Sequence, residues 1–190
     1  MKKGFLMVVS GPSGVGKGTI CDILLRDNTD IKYSISATSR NKRPNEEHGK
    51  NYFFVSNDEF EKMIEDGKLL EYARVHGNYY GTPKDFVLNS IENGDVVILE
   101  IDVQGALQVK KNYPDAVLVF VLPPDFDELK RRLVERGTED EETVNLRMNN
   151  AKKEVEFLNE YNYSIVNDVI DESVDKMKAI IEAERLKIKK

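Results

Sequence analysis

The chain has few of the residues that form disulfides, histidine metal sites or catalytic triads. Its 190 residues include one cysteine, two histidines and no tryptophan. One cysteine cannot form an internal disulfide, which fits a cytoplasmic protein, and free cysteines are usually buried and inert. We therefore expect Cys21 to be a small buried residue, the alternative being a nucleophile. His48 and His76 match no metal-ligand or catalytic-triad spacing, so we expect both at surface or turn positions.

Long apolar segments and a positive net charge are also absent. No apolar run approaches the roughly 20 residues that cross a bilayer, so we expect no membrane partner. The apolar run at residues 5–9 is too short for a signal peptide and is interpreted as a buried first strand. The formal net charge of -6 argues against nucleic acid as a partner, because binding to a phosphate backbone depends on many lysines and arginines. Any anionic ligand must be held by local clusters of cations.

What the chain has instead is a regular alternation of apolar strands with amphipathic helices. Runs rich in β-branched residues predict strands at 5–9, 96–99, 116–122 and 163–166. Helical patterns follow at 19–27, 103–112, 125–136 and 172–186. Strands that are apolar on both faces and alternate with helices are typical of a parallel sheet covered by helices on both sides. The predicted fold class is therefore α/β.

Two segments depart from this alternation. Residues 37–82 contain many turns and short alternating strands and predict a small antiparallel insertion. Within it, Ser56 and Glu59 predict a capping box, and at its end Thr82 and Pro83 predict a helix N-cap and first turn. Residues 131–149 carry arginines around an acidic linker and predict a helix–turn–helix lid. The core of this single domain would consist of residues 1–36, 83–130 and 150–190.

The stretch GPSGVGKGT has the G-x-x-x-x-G-K pattern of a phosphate-binding P-loop, and it lies between a predicted strand and a predicted helix. Backbone N–H groups, the positive helix end and Lys17 would hold a nucleotide phosphate. Gly18 replaces the usual serine or threonine whose hydroxyl contacts Mg²⁺, so either Thr19 or a water must take that place. The residues predicted to bind the nucleotide phosphates are Gly11, Pro12, Ser13, Gly14, Val15, Gly16, Lys17, Gly18 and Thr19. GTPases, ATPases and kinases share such a loop, so the motif alone does not identify the reaction.

A second group of polar residues lies at the start of the predicted insertion, where Ser36, Arg40, Arg43 and Tyr52 fall in one short stretch. On its own, a basic turn of this kind is typical of a solvated surface loop. In a chain that already holds one phosphate, two arginines beside a tyrosine hydroxyl can form a bidentate grip on a second phosphate.

The sequence resembles the guanylate kinase family over nearly the whole chain. The segments that carry the resemblance are GPSGVGKGT, SISATSRNKRPNEEHGKNYFFV, LLEYARVHGNYYGTP, VILEIDVQG, RRLVERGTEDEETVNLRM and YNYSIVND. The resemblance implies a P-loop NTPase core with a parallel sheet flanked by helices, a GMP-binding insertion and a helical lid. It also implies Mg²⁺-dependent transfer of the γ-phosphoryl group of ATP to GMP, and to dGMP. The main departure from the family is Gly18, where serine is more common.

The resemblance also implies the site residues, position by position. Those implied to hold the GMP phosphate are Arg40, Arg43, Tyr52 and Tyr80. Those implied to contact guanine are Ser36, Glu71 and Thr82, with Glu100 and Asp102 at the adjoining strand end. The implied transfer-site cations are Lys17, Arg132, Arg136 and Arg147, of which the last three belong to the lid.

Side-chain chemistry agrees with these assignments. A carboxylate such as Glu71 can accept the adjacent N1–H and N2–H₂ donors of guanine, whereas adenine has an acceptor at N1; the alternative is an exposed strand residue. Glu100 and Asp102 are two apart on a predicted strand, so they share a face at the carboxyl edge of the sheet, where acids can hold Mg²⁺ or its waters. The alternative is a pair of ordinary strand-end acids. We expect Thr19 and Asp102 to reach Mg²⁺ through water. No general base is expected, because a monophosphate has its second pKa at about 6.

Alternatives of function remain at this point. The GKGT ending also occurs in adenylate-kinase-like loops, so another nucleoside monophosphate is a possible acceptor. Guanylate-kinase-like domains also serve as non-catalytic binding scaffolds, although those resemblances come without the P-loop lysine that Lys17 provides here. The lid arginines, taken alone, are compatible with a solvated charged helix. We expect a monomer or a small homo-oligomer.

Overall fold

The predicted core strands and helices form where the apolar periodicity placed them. The computed structural model describes residues 4–75, 77–135 and 140–188. The strands are β1 (Phe5–Ser10), β2 (Ile31–Tyr33), β3 (Ala37–Thr38), β4 (Phe53–Phe54), β5 (Leu69–Val75), β6 (Asn78–Pro83), β7 (Val96–Glu100), β8 (Val117–Leu122) and β9 (Tyr163–Val166). The helices are α1 (Lys17–Asp27), α2 (Asn57–Glu65), α3 (Lys84–Glu92), α4 (Val103–Asn112), α5 (Phe126–Glu135), α6 (Glu141–Val155) and α7 (Ile170–Leu186), and a 3-10 turn lies at Leu158–Glu160.

The main sheet has five parallel strands in the order β2-β7-β1-β8-β9. Every residue of the central strand β1 is buried, because helices cover both faces of the sheet. The α/β prediction is therefore confirmed. The edge strand β2 was not predicted, since only one of its three residues is buried and it has no apolar run. Parallel order brings the carboxyl ends of β1, β7, β8 and β9 to one edge of the sheet.

The insertion forms a second sheet in the order β4-β3-β6-β5, and this sheet is mixed. The hairpin β5–β6 and the pair β3–β6 are antiparallel, as predicted, but β3 and β4 are parallel. The expectation of a wholly antiparallel insertion was therefore wrong in this detail. The physical reason is the loop at residues 39–52, which is long enough to carry the chain back and start β4 in the same direction as β3.

Local signals at the helix starts were partly right. In α2, Ser56 accepts from the backbone N–H of Glu59, whose side chain accepts from the backbone of Ser56, so the capping box is complete. The expectation that Thr82 caps α3 was wrong, because β6 continues through Pro83, which occupies the N-cap position. The hydroxyl of Thr82 instead points across the hairpin. None of the helices in the described part of the chain is long and apolar enough to span a membrane.

Candidate active site

The P-loop lies at the carboxyl end of the central strand, and close packing requires its glycines. Gly11 has φ 138° and Gly16 has φ 95°, a region that side chains rarely adopt. A Cβ on Gly11 would lie 2.2 Å from the carbonyl oxygen of Val121 in β8. A Cβ on Gly16 would lie 2.5 Å from the side-chain nitrogen of Asn167. The loop is therefore pressed against β8 and the end of β9.

Lys17 folds back over the loop that precedes it. Its Nζ donates to the carbonyl oxygens of Gly11 at 2.6 Å and Pro12 at 3.1 Å. The loop opens into a cavity of about 300 Å³ whose lining residues are Ser13, Gly14, Gly16, Lys17, Gly18, Thr19, Asp22 and Glu100. Backbone N–H groups at the start of α1 and one ammonium at the same cavity suit a nucleotide phosphate.

Asn167 is a residue of this site that the sequence reasoning did not single out. It is buried just after β9, where its Nδ2 donates to the carbonyl oxygen of Val15 at 2.7 Å. Its Oδ1 accepts from the hydroxyl of Ser173 in α7 at 2.8 Å. The Asn167 side chain thus fastens the P-loop to the end of β9. The only signal in the sequence was the segment YNYSIVND, which resembles the family but has no pattern that predicts this contact.

One arginine of α6 contacts the P-loop, and one arginine of α5 contacts the chain just after β9. Arg147 of α6 donates to the hydroxyl of Ser13. Arg132 of α5 donates to the backbone carbonyl oxygens of Asn167 at 3.0 Å and Asp168 at 3.5 Å. Arg136 lies outside the described residues, so its assignment stays a prediction. Arg147 therefore contacts the P-loop and Arg132 contacts the chain just after β9, and their role as transfer-site cations stays a prediction.

Glu128 orients Arg132 from the same helix. Its carboxylate accepts from the Nε of Arg132 at 2.7 Å and from Arg131 at 2.7 Å. Hydrogen bonds from Arg131, then from Arg132, lower the pKa of Glu128 to about 2. The carboxylate therefore remains ionised at any physiological pH.

Three members of the predicted acceptor cluster come together: Arg40, Tyr52 and Tyr80. The guanidinium carbon of Arg40 lies 5.6 Å from the centre of the Tyr52 ring, and the Tyr52 and Tyr80 rings are 6.1 Å apart. Arg43 lies on the exposed part of the same loop. The unforeseen member is Glu46, which pairs with Arg40 at 2.7 Å. Nothing in the periodicity of this loop distinguishes Glu46 from Glu47, the acid next to it.

Glu71 is buried, which contradicts its alternative interpretation as an exposed strand residue. The Thr82 hydroxyl donates to its Oε1 at 2.6 Å, so two of the three residues implied to contact guanine are in direct contact. Burial is the main reason that the pKa of Glu71 lies above its ordinary value of 4.5, and the negative charge of Asp102 adds to it. Hydrogen bonds from Thr82 act in the opposite direction.

Glu100 and Asp102 occupy different surroundings. β7 ends at Glu100, whereas Asp102 has left the strand and caps α4, accepting from the N–H of Gly105 at 2.8 Å. The inference that both acids share one strand face was therefore wrong. Glu100 lines the P-loop cavity and also a neighbouring cavity of about 220 Å³ whose lining includes Ser36 and Tyr52. Glu100 thus stands between the loop and the insertion.

The residues around the P-loop fit Mg²⁺. Within the described residues no three metal-ligating side chains cluster together. Mg²⁺ in kinases is usually held by one or two carboxylates together with phosphate oxygens and waters, so a full protein cage is not required. Glu100 and Thr19 supply hard oxygen donors at the cavity that Lys17 lines. Asp102 lines a separate cavity with Glu154 and Asn150, so its predicted metal contact stays a prediction.

Cys21 and His48 are placed as expected. Cys21 is fully buried in α1, and burial, with smaller contributions from Glu100 and Asp22, raises its pKa to about 12. A thiol with this pKa has almost no thiolate at neutral pH, so it is a structural residue. His48 is exposed and accepts from the N–H of Phe54 at 3.1 Å. His76 lies outside the described residues.

Together, a P-loop at the end of the central parallel strand, an arginine that reaches it from α6 and a second cation–tyrosine cluster define a P-loop nucleotide kinase. The family model described as guanylate kinase matches residues 3–184, and the chain belongs to the guanylate kinase family.

Individual relatives agree with the family match. The guanylate kinase of Oceanobacillus iheyensis is 52% identical over 186 residues, which cover 98% of this chain and 90% of that protein. The guanylate kinase of Caldanaerobacter subterraneus is 51% identical over 187 residues, with 98% and 91% covered. Among solved structures, guanylate kinase from Anaplasma phagocytophilum superposes with a TM-score of 0.73 at 32% identity, covering 98% of this chain and 88% of that one.

Proposed function

We propose that the protein transfers the γ-phosphoryl group of ATP to GMP, giving ADP and GDP, with Mg²⁺. The observation that carries this proposal is the position of Glu100, which lines both the P-loop cavity and the cavity beside Ser36 and Tyr52. Two neighbouring cavities with a shared wall can hold two nucleotides with their phosphates facing each other. Kinase chemistry depends on that alignment more than on any covalent catalyst.

At the donor side, the loop amides and Lys17 would bind the ATP phosphates. The ammonium of Lys17, which now donates to two loop carbonyls, would exchange them for phosphate oxygens. Thr19, Glu100 and Asp102 would hold Mg²⁺ through its waters, and the ion would neutralise charge on the phosphates. Lys17, Arg132, Arg136 and Arg147 would stabilise the transferring group.

At the acceptor side, Arg40, Arg43, Tyr52 and Tyr80 would hold the phosphate of GMP. Its oxygen is largely ionised near neutral pH, so it attacks without a general base. Closure of the lid, residues 131–149, over the bound substrates would exclude water, which otherwise competes as acceptor. The insertion at 37–82 would carry the acceptor and the remaining core the donor.

Selection of guanine would depend on Glu71, positioned by Thr82, with Ser36 as a further contact. The carboxylate accepts both donors on one edge of guanine, whereas adenine would leave it facing a lone pair. Sites built on such pairing discriminate by about 10⁴-fold or more, because the wrong base leaves a buried group unpaired. We expect dGMP to be accepted as well, because the proposed contacts are to the phosphate and the base and none is to the 2′-hydroxyl.

The test is an acceptor panel in which ADP formation from ATP is measured with GMP, dGMP, AMP and UMP. GMP and dGMP should be phosphorylated far faster than the others. A preference for AMP over GMP would end the guanylate assignment in favour of another nucleoside monophosphate. Binding of both nucleotides without any turnover would favour a non-catalytic binding module.

A single substitution tests the role of the P-loop lysine. Lys17→Ala should lower turnover by at least about 10²-fold, because it removes a fixed positive charge from the transferring phosphate. Circular dichroism and the thermal transition should stay close to wild type. Near-normal activity in this variant would contradict the role assigned to Lys17.

We also propose that the protein works in the cytoplasm on small molecules alone, as a monomer or small homo-oligomer, without nucleic acid or membrane partners. A reduced, buried Cys21 is compatible with that compartment. Sedimentation velocity on the purified protein would give the oligomeric state, and a large defined assembly would contradict this expectation.

A further inference from the structure

We propose that Glu46 is the positioning residue of the acceptor-phosphate site: it sets the orientation of Arg40 and the backbone of Arg43. This inference rests on the proposed function, because it concerns the phosphate of GMP. Glu46 Oε1 accepts from Nη2 of Arg40 at 2.7 Å, and Oε2 accepts from Nη1 at 3.0 Å. Both side chains are mostly buried, at 17% exposed for Arg40 and 16% for Glu46. The pair is therefore a two-point, charge-assisted contact in a partly desolvated position.

The geometry of the guanidinium decides which donors remain for a phosphate. Its five N–H donors lie in a rigid plane. Glu46 occupies the edge formed by Nη1 and Nη2, and Nη1 also donates to the carbonyl oxygen of Asn41 at 2.7 Å. The edge formed by Nε and the outer hydrogen of Nη2 faces away from Glu46. This second edge can bind two phosphate oxygens while the first edge stays fixed.

Aromatic rings hold the same plane from the side. The guanidinium carbon of Arg40 lies 5.6 Å from the ring centre of Tyr52 and 5.8 Å from that of Phe54. The hydrogen bonds to Glu46 are the main cause that raises the pKa of Arg40. A hydrogen bond with Tyr80 also raises it, which places the Tyr80 hydroxyl near the guanidinium. Both tyrosines assigned to the phosphate, Tyr52 and Tyr80, thus lie beside the arginine that Glu46 orients.

Glu46 also fixes the second arginine. Its Oε2 accepts from the backbone N–H of Arg43 at 2.8 Å, and its own N–H donates to the carbonyl oxygen of Arg43 at 3.1 Å. Two arginines that bind one phosphate would repel each other, and the negative charge of Glu46, which is close to both residues, would offset that repulsion. Because Glu46 is tied to the backbone of the turn, it stays in place when a phosphate arrives. A side chain ordered before binding removes an entropic cost from binding itself.

The decisive variant is Glu46→Gln, which keeps the shape of the side chain but removes its charge and one acceptor oxygen. Loss of a hydrogen bond to a charged group should raise the KM for GMP about 10-fold or more, while the KM for ATP changes less than about twofold. The control is Glu47→Gln, which makes the same charge change on the next residue. Glu47 is 69% exposed and its partner is Lys50 at 3.4 Å. The control should leave both KM values unchanged.

Guanosine, used as a competitive inhibitor, separates positioning from general damage. In Glu46→Gln the affinity for guanosine should stay at the wild-type value, because only the phosphate contact is altered. Equal losses for GMP and guanosine would overturn the inference in favour of a structural role. Tighter binding of GMP by Glu46→Gln would also overturn it, since Glu46 would then be an anion that competes with the phosphate.

A double-mutant cycle shows whether Glu46 acts through Arg40. Once Arg40→Ala has been introduced, adding Glu46→Gln should raise the KM for GMP by less than about twofold further. Independent, multiplying effects would contradict action through Arg40. Failure of the wild-type protein to make GDP from GMP would refute the proposed function, whereas an active protein with an unchanged KM in Glu46→Gln would refute this inference alone.

Discussion

The glycine at position 18 leaves open space beside a carboxylate and relieves no strain. A Cβ on Gly18 would meet only Oε2 of Glu100, at 3.7 Å, which is an ordinary van der Waals contact. Gly11, Gly14 and Gly16, in contrast, have φ values that side chains rarely adopt. The P-loop backbone therefore requires its other glycines but does not require Gly18.

Gly18→Ser should fold normally and should lower the Mg²⁺ concentration that gives half-maximal activity. The added hydroxyl would point toward the Glu100 side of the cavity, where we propose that Thr19 and water serve the metal. A hydrogen bond that contributes about 1 kcal/mol net corresponds to a several-fold higher affinity for Mg²⁺. Gly18→Ala fills the same space without a hydroxyl and is the control. An equal shift in both variants would show that the hydroxyl is not the cause.

If Glu71 recognises guanine as proposed, its buried carboxylate links substrate binding to stability. Its pKa in the folded protein lies above 4.5, so the stabilising contribution of the protonated form is complete below that value. The contribution is lost as the pH rises through the higher pKa of the folded state. An ionised Glu71 therefore destabilises the ligand-free protein at neutral pH, and a guanine base that pairs with it would offset this cost.

Glu71→Gln should accordingly raise the free energy of unfolding relative to wild type at pH 7.5, with the difference shrinking as the pH falls toward 4.5. The amide can still accept from the Thr82 hydroxyl. The same variant should lower kcat/KM for GMP by about 10- to 100-fold, because a charged acceptor is lost. Its KM for ATP should not change. Urea unfolding at both pH values and steady-state kinetics provide the measurements, and equal effects on both substrates would contradict base recognition by Glu71.

Among the secondary-structure elements, the sequence predicted those that have a periodic apolar pattern. The core strands and helices carry long apolar patterns and were confirmed, whereas β2 and β3 have three and two residues and no apolar run to detect. The contact between Asn167 and Val15 spans 152 positions, and no local rule connects them. Glu46 differs from Glu47 only through tertiary contacts of its loop. The family resemblance assigned most of the site but not the residues that hold it in place.

The end of β9 positions the P-loop through one buried amide. Asn167→Ala would leave the carbonyl oxygen of Val15 without its donor and remove one partner of Ser173. We expect a loss of about 1–3 kcal/mol in the free energy of unfolding and a higher KM for ATP, because the loop amides lose their support.

Asn162, at the other end of β9, is the matched control for this prediction. Its Oδ1 accepts from the backbone N–H of Leu118 at 2.8 Å, away from the loop. Because Asn162 is exposed, Asn162→Ala should destabilise the protein less than Asn167→Ala, and it should leave the KM for ATP unchanged. If both variants raise that KM equally, the link between Asn167 and the loop is not specific.

Across the whole molecule, the fold concentrates cations at one edge of an acidic protein. The net charge is -6, yet the carboxyl edge of the sheet collects Lys17 from the loop and Arg132 and Arg147 from the lid helices. The insertion brings Arg40 toward the same edge, where Glu100 lines both cavities. Two anionic substrates, one in each cavity, would therefore lie end to end at this edge with cations around their phosphates.

A dinucleoside pentaphosphate that joins adenosine to guanosine tests this arrangement directly. If both cavities face one another, the second nucleoside binds at a high effective concentration, and the affinity should exceed that of ATP or GMP alone by about 10²-fold or more. The compound should compete with both substrates, and Lys17→Ala and Arg40→Ala should each weaken it. The diadenosine and diguanosine analogues are controls, because each matches one base site only. Competition with a single substrate would mean that the two cavities do not meet, and in-line transfer between them would then be ruled out.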